Sequence, residues 1–246
     1  MKPLPKLGCL PSLHDHRTFK LESFLTGILP QVKPSVCWSG KMKPITMMAN
    51  DRMGNCTCAS AGHMVQSWTA NESSQVILPD SDIIKAYSAV SGYNPKTGAN
   101  DNGAVLMDVL KLWRNKGIGG HKVKAFVSIN PRNHDHIKLA IDLFGGVYMA
   151  VGLPLSAQGK TSWDSPANTT GRNRPRSWGG HAIPSVTYNS RYCPVITWGM
   201  EIDMTWDFWD AYGEECYAII STDWITDGQS PSGFDMNRLE KALAAL

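Results

Sequence analysis

Long apolar runs are what this 246-residue chain most plainly lacks. A membrane-crossing helix needs about 20 consecutive apolar residues, and no stretch approaches that length, so no membrane partner is expected. The opening MKPLPKLGCLPSLHDHRTF is polar and interrupted by proline, without the apolar core and small-residue cleavage site of a secretory signal. The expected location is therefore cytoplasmic or virion-associated. Cysteine is also sparse: Cys9, Cys37, Cys56, Cys58, Cys193 and Cys216 are too scattered for a disulfide scaffold at this length. Reduced thiols are the default, Cys193 and Cys216 included. No second cysteine pair with ligand spacing accompanies Cys56 and Cys58. The twins His14-Asp15-His16 and His134-Asp135-His136 read as solvated residues, so no metal or other cofactor is expected. A net charge of +3 is too small to point to nucleic acid.

What is present is ordinary globular material, 42% hydrophobic and 18% charged, enough for one large core or two packed lobes. Residues 1–49, rich in proline and short of periodicity, read as an extended lead-in that wraps a domain. Apolar residues at helical spacing then predict helices from Cys56 to about Asn71, over Asp80–Val90 with Asp80 as N-cap, over Ala104–Asn115, and over Arg132–Phe144, stopped by Gly145-Gly146. Beyond that the period shortens. Val147–Leu153, His181–Tyr188, Cys193–Trp198 and Tyr217–Trp224 read as strands, interrupted by a helix near Thr205–Tyr212. A last helix is expected over 231–246. Helices first and strands later predict an α+β protein, with a helical lobe of about 50–120 and a sheet lobe of about 121–230. The stretch Ser156–Gly180 is a long polar loop whose Arg172, Arg174 and Arg176 read as a solvated face, one suited to docking an assembly partner.

Chemistry concentrates in residues 50–56, Asn-Asp-Arg-Met-Gly-Asn-Cys, which lead directly into a helix. A cysteine at a helix N-terminus faces unpaired N–H donors and the positive end of the dipole, which favour thiolate. Gly54 permits the sharp turn. The spacing alone fits a small buried packing cysteine equally well. Cys58 would lie inside the first helical turn and point elsewhere. A base must come from another element. His63 sits about 10 Å along the same helix from Cys56 and reads as a packing residue, whereas His181 opens a strand behind Gly179-Gly180 on the other lobe. A cysteine and a histidine facing each other across a cleft make the nucleophile–base pair of thiol hydrolases.

Taken in order, these segments resemble the papain-like cysteine peptidases, in particular their bacterial and phage branch. Asn50 stands where that family has a glutamine oxyanion donor, and Gly54-Asn55-Cys56 stands at the nucleophile. Asp101–Ala104, with Asn102 and Gly103, looks like the cleft-lining segment. Gly180-His181 matches the histidine strand, Trp198-Gly199 the shielding aromatic, and Tyr217–Ile220 the last strand. The resemblance implies a two-lobe fold with a barrel-like antiparallel sheet lobe. It also implies catalytic roles for Cys56, His181, Asn50 and Thr197, and substrate contacts at Gly54, Asn102, Gly103, Gly180 and Trp198. Two departures stand out: Thr57 follows the nucleophile in place of an aromatic, and Thr197 or Ile196 takes the place of the asparagine that orients the imidazole. Residues 7–17 look like a mature N-terminus, so no self-encoded brake is expected.

The implied function is cysteine-dependent hydrolysis of peptide or amide bonds in a peptide or protein substrate. One alternative is a catalytically weakened binding or structural component, for example of a phage particle. Another is an amidase acting on cell-wall peptides.

Overall fold

The computed structural model describes residues 5–12, 18–23, 30–225 and 230; the helix expected over 231–246 lies outside them. In chain order the elements are β1 (Val36–Cys37), α1 (Cys56–Glu72), α2 (Asp80–Ser91), α3 (Leu106–Asn115), β2 (Val123–Ile129), α4 (His134–Phe144), β3 (Val147–Leu153), β4 (Ser162–Trp163), β5 (Gly179–Ser185), β6 (Thr187–Tyr188), β7 (Val195–Thr197), β8 (Met200–Met204), α5 (Trp206–Tyr212) and β9 (Gly213–Ser221).

Helix α1 is buried on every side from Cys56 to Thr69, which explains why its apolar stripe is indistinct in the sequence. Small residues let its neighbours close in. A Cβ added at Gly62 would press on Met48 Sδ and on Ile83 Cδ1 of α2, the latter at 2.8 Å. Helix α3 is amphipathic, burying Leu106, Val109, Leu110 and Trp113, and Trp113 stacks on Trp68 at 5.5 Å between ring centroids. Helix α2 starts on Pro79, so Asp80 is its first residue and not its cap, and Gly92 at φ 75° ends it. At α4, Asn133 is the cap, its side chain accepting from the His136 N–H at 3.1 Å.

The sheet lobe is built on an antiparallel four-stranded sheet in the order β2-β9-β3-β5. A three-stranded sheet, β4-β8-β7, and the β1-β6 pair stand beside it. The sheets do not close into a barrel, so the expected α+β two-lobe fold holds with an open sheet lobe. One face of the large sheet, with Tyr148, Ala150, Ala182, Tyr217 and Ile219, shares a core with α1, α2 and α3. The other, with Met149, Val151, Ile183, Cys216 and Ala218, packs on α4 and α5.

Tryptophan side chains tie the lobes together. The last carbonyls of any helix lack intrahelical partners. In α4 those of Ile141, Leu143 and Phe144 accept from the indole N–H groups of Trp38, Trp224 and Trp68, at 2.9, 2.8 and 2.9 Å. Replacing Trp68 by Phe removes the indole donor of this buried bond, and the loss of one such hydrogen bond costs about 0.5–1.5 kcal/mol. Trp68→Phe is expected to lower the unfolding free energy by about that amount, read as a lower denaturant midpoint at an unchanged m-value; an unaltered midpoint would contradict the role of this bond.

Candidate active site

Cys56 is the first residue of α1 and lies at the junction with β5. Its Sγ accepts from the backbone N–H of Ala182 at 3.4 Å, so the sulfur sits beside the strand that carries His181. The imidazole is fully buried. Its Nε2 is 2.7 Å from Thr197 Oγ1, while Nδ1 has no hydrogen-bond partner among the described residues. Of Thr197 and Ile196, it is Thr197 that bonds the ring. The indole of Trp198, held at φ 49°, stacks on the ring at 4.4 Å between centroids and 21° between planes. Behind it stands a further aromatic layer of Trp178 and Trp163. Cys58 is a separate buried thiol and His63 is buried within α1.

The chain's own N-terminal segment, residues 6–10, runs between the two lobes as a strap bonded to both. Ala104 N–H donates to Gly8 O at 2.8 Å, and Leu10 N–H donates to Ala104 O at 3.0 Å. Across the cleft, the N–H groups of Gly8 and Cys9 both donate to Gly180 O, at 3.3 and 3.0 Å. Lys6 N–H reaches Asn50 O at 3.2 Å. Its carbonyl receives two side-chain donors, Asn50 Nδ2 and Trp198 Nε1, each at 3.3 Å. This strap approaches so closely that glycine is required on both sides. A Cβ on Gly8 would run into the Gly54 backbone, one on Gly103 into the Gly8 carbonyl, and one on Gly180 into the Cys9 carbonyl. Gly103 also takes a positive φ of 85°.

Of the anticipated contact residues, Gly54, Gly103, Gly180 and Trp198 all touch the strap; Asn102 is exposed at the rim. Asp101 organises this edge, its Oδ1 accepting from Gly54 N–H and from Tyr87 Oη, both at 2.8 Å. Tyr87 Oη in turn accepts from Gly103 N–H at 2.9 Å. Sequence reading missed the strap and the Tyr87–Asp101 link, because Pro5 and Pro11 make 5–12 look like a passive lead-in. It also misjudged Arg176. That guanidinium is not a solvated loop group: it binds Glu214 through Nε and Nη2, both at 2.6 Å, which anchors the end of the 156–180 loop to β9.

Burial dominates the titration of the pair. The Cys56 thiol is pushed up to about 12 by desolvation, although the N–H groups of Ala182, Gly8, Thr57 and Cys56 itself pull the other way. Burial also pulls His181 down to about 3. Burial thus favours the neutral form of each group, against the pull of the helix N-terminus on the thiol.

No family model matches the chain, and no curated protein is similar to it in sequence. Solved structures do resemble it. Xylellain, a cysteine protease from Xylella fastidiosa, superposes with a TM-score of 0.66 at 13% identity, over 90% of this chain and 98% of that one. The fold is that of the papain-like cysteine proteases. The cysteine protease and lectin-like domains of Cwp84 from Clostridium difficile give a TM-score of 0.62 at 11% identity, over 88% of this chain and 56% of that one. Bromelain from Ananas comosus gives 0.55 at 12% identity, over 77% and 99%. Among the described residues no helix is long and apolar enough to cross a membrane.

Two buried neutral histidines make the papain-like fold sensitive to acid. His63 is lowered by burial from 6.5 to about 4, and His181 from 6.5 to about 3. The unfolded chain takes up these protons at the higher value, so stability is full above pH 6.5 and falls as the pH drops through the window below it. For His63 alone the loss is on the order of 3 kcal/mol by pH 4. Melting temperature is expected to fall between pH 7 and 4, and less steeply in His63→Leu; equal slopes would contradict this assignment.

Proposed function

We propose that this chain is a cysteine-dependent hydrolase of peptide or amide bonds, with Cys56 as nucleophile and His181 as base, held closed by its residues 5–10. The observation that carries the reading is the position of Cys56: a thiol at the N-terminus of a buried helix, bonded to the residue next to a histidine that carries an orienting hydroxyl and an aromatic shield. When the strap leaves, water and substrate enter, the desolvation penalty falls, and the N–H donors around Cys56 favour the thiolate. Cys56 passes its proton to His181 Nδ1 and attacks the carbonyl carbon, with the oxyanion received by the Asn50 amide and the Cys56 N–H. His181 gives its proton to the leaving amine and afterwards takes one from the water that releases the acyl group. Thr197 accepts from Nε2–H and so leaves Nδ1 for the sulfur, although a hydroxyl holds the tautomer less firmly than an amide.

A substrate main chain would use the bonds the strap now occupies, those to Ala104 N–H and C=O and to Gly180 C=O. Such edge pairing recognises backbone and leaves side chains to pockets. The neutral pair in the closed state is the one observation favouring an inactive binding protein. An enzyme under strap control predicts that the block is removable.

Gly8→Ala supplies the test, since a Cβ there cannot coexist with the Gly54 backbone and must lift the strap. On a mixed peptide library, the Gly8→Ala chain is expected to hydrolyse at least about tenfold faster than the native chain, an effect of about 1.4 kcal/mol. Adding Cys56→Ala should abolish turnover with little change in melting temperature. Retained turnover in the double variant would refute Cys56 as nucleophile, and no gain from Gly8→Ala would refute the strap as a brake.

A further inference from the structure

Resting on that reading of the cleft, a hydrogen-bonded chain behind its helical wall bears on how a bound peptide meets Cys56. Two stretches of main chain form this wall. Gly54 belongs to the turn that leads into Cys56, and Gly103 precedes Ala104, whose N–H and C=O hold the strap. Tyr87 and Asp101 join the two stretches. Asp101 Oδ1 accepts from Gly54 N–H and from Tyr87 Oη, and Tyr87 Oη accepts from Gly103 N–H, at 2.8, 2.8 and 2.9 Å.

Each member of the link is held from behind. Tyr87 is fully buried toward the end of α2, with its ring 5.3 Å from that of Tyr93. Its carbonyl accepts from Ser91 Oγ at 2.7 Å, and Ser91 Oγ accepts from Tyr93 N–H at 3.1 Å. The loop that carries Asp101 folds back on the same helix end, where Asn100 Nδ2 donates to Gly92 O at 3.1 Å. Helix α2 packs in turn on α1, with Ile83 closed down on Gly62. A closed circuit therefore runs from Cys56 along α1 to α2, through Tyr87 and Asp101, and back to Gly54. Burial, and after it the Asp101 carboxylate, hold the Tyr87 phenol well above its ordinary value. Its O–H thus stays a donor to Asp101 while its oxygen receives Gly103.

The two gripped segments are the ones the strap rests on. A Cβ on Gly54 would meet the Leu7 carbonyl at 2.8 Å and Asp101 Oδ1 at 3.2 Å, and one on Gly103 would run into the Gly8 carbonyl. A peptide that takes the place of Leu7 and Gly8 lies across both segments in the same way. Misplacing a bound group by about 1 Å from the reacting atom can cost about a hundredfold in rate.

We propose that Tyr87 and Asp101 are positioning residues, which fix the Gly103–Ala104 edge relative to the Cys56 turn so that a peptide paired with Ala104 brings its carbonyl to the sulfur. Neither residue touches the reacting atoms. The pair therefore matters to a ligand that spans both segments and not to one that reaches Cys56 alone.

Covalent labelling with and without a peptide arm reads this difference. The full-length Gly8→Ala chain is treated with chloroacetone and with a set of acetylated tripeptide chloromethyl ketones. In each case the Cys56 sulfur displaces chloride and forms one C–S bond, and the thiol proton passes to His181 or water. Labelling at Cys56 is followed by mass spectrometry, well below the melting midpoint of each variant. The ratio of armed to armless rates cancels changes in thiol reactivity. The best arm is expected to raise the rate at least about tenfold, and adding Tyr87→Phe or Asp101→Ala should erase most of that gain. Asp101→Asn should keep it, because an amide oxygen accepts from the same two donors. A gain undiminished in either Tyr87→Phe or Asp101→Ala overturns the proposal. So does a gain lost equally in Asp101→Asn, or the absence of any gain from an arm. The expected pattern in a chain that hydrolyses no peptide would count against the hydrolase reading alone.

Discussion

The packing of α1 against β5 is the constraint on which the rest depends. Every side chain from Cys56 to Thr69 is buried, so the helix cannot rotate or slide without breaking the cores on all its sides. Its first residue is thereby pinned beside Ala182 of β5, while β3 carries β5 on the large sheet. The Trp68 N–H, donated from α1 to the end of α4, ties the sheet lobe to that helix. Cys56 and the strand of His181 lie about 125 residues apart in sequence, yet the contact of Cys56 with Ala182 follows from helix burial and sheet register and from no local motif.

The strap extends that logic. Its hold is a set of backbone bonds to Ala104, Gly180 and Asn50, made where glycines at 8, 54, 103 and 180 let main chains approach. Such bonds carry no side-chain information, so a foreign main chain can replace them. Burial by the strap also sets the electrostatics: a dry site keeps thiol and imidazole neutral, and a wet one lets the N–H donors around the sulfur favour the anion. On the proposed reading, closure and chemical quiescence are one event.

Much of this was legible in the sequence wherever a local rule operated. The ends of α4 and β3 followed from Gly145-Gly146, and α3 from an apolar stripe that begins two residues later than spacing indicated. The place of Cys56 at a helix start and of His181 behind a glycine pair followed local patterns, whereas Thr197 was reached only through the family resemblance, with Ile196 as its alternative. Strands β2 and β8 were missed. β2 carries a lysine and a serine among its apolar residues, and β8 sets charged residues among apolar ones at the centre of a small sheet. The strap and the Arg176–Glu214 pair depend on register between distant segments. No spacing along one chain encodes these, and the 156–180 loop looked solvated because its anchor lies on β9.

The central claim is that a competent Cys56–His181 pair lies beneath a removable cover. The rate of Cys56 alkylation by iodoacetamide against pH tests it most directly, compared between the native chain, Gly8→Ala, and Gly8→Ala with His181→Ala. The account predicts slow labelling of the native chain at neutral pH. It predicts fast labelling of Gly8→Ala that persists below pH 7, and a return to the ordinary thiol profile, rising near about 8.5, when His181 is also removed. Slow labelling of Gly8→Ala that rises only near the ordinary thiol value, with or without His181, would contradict it.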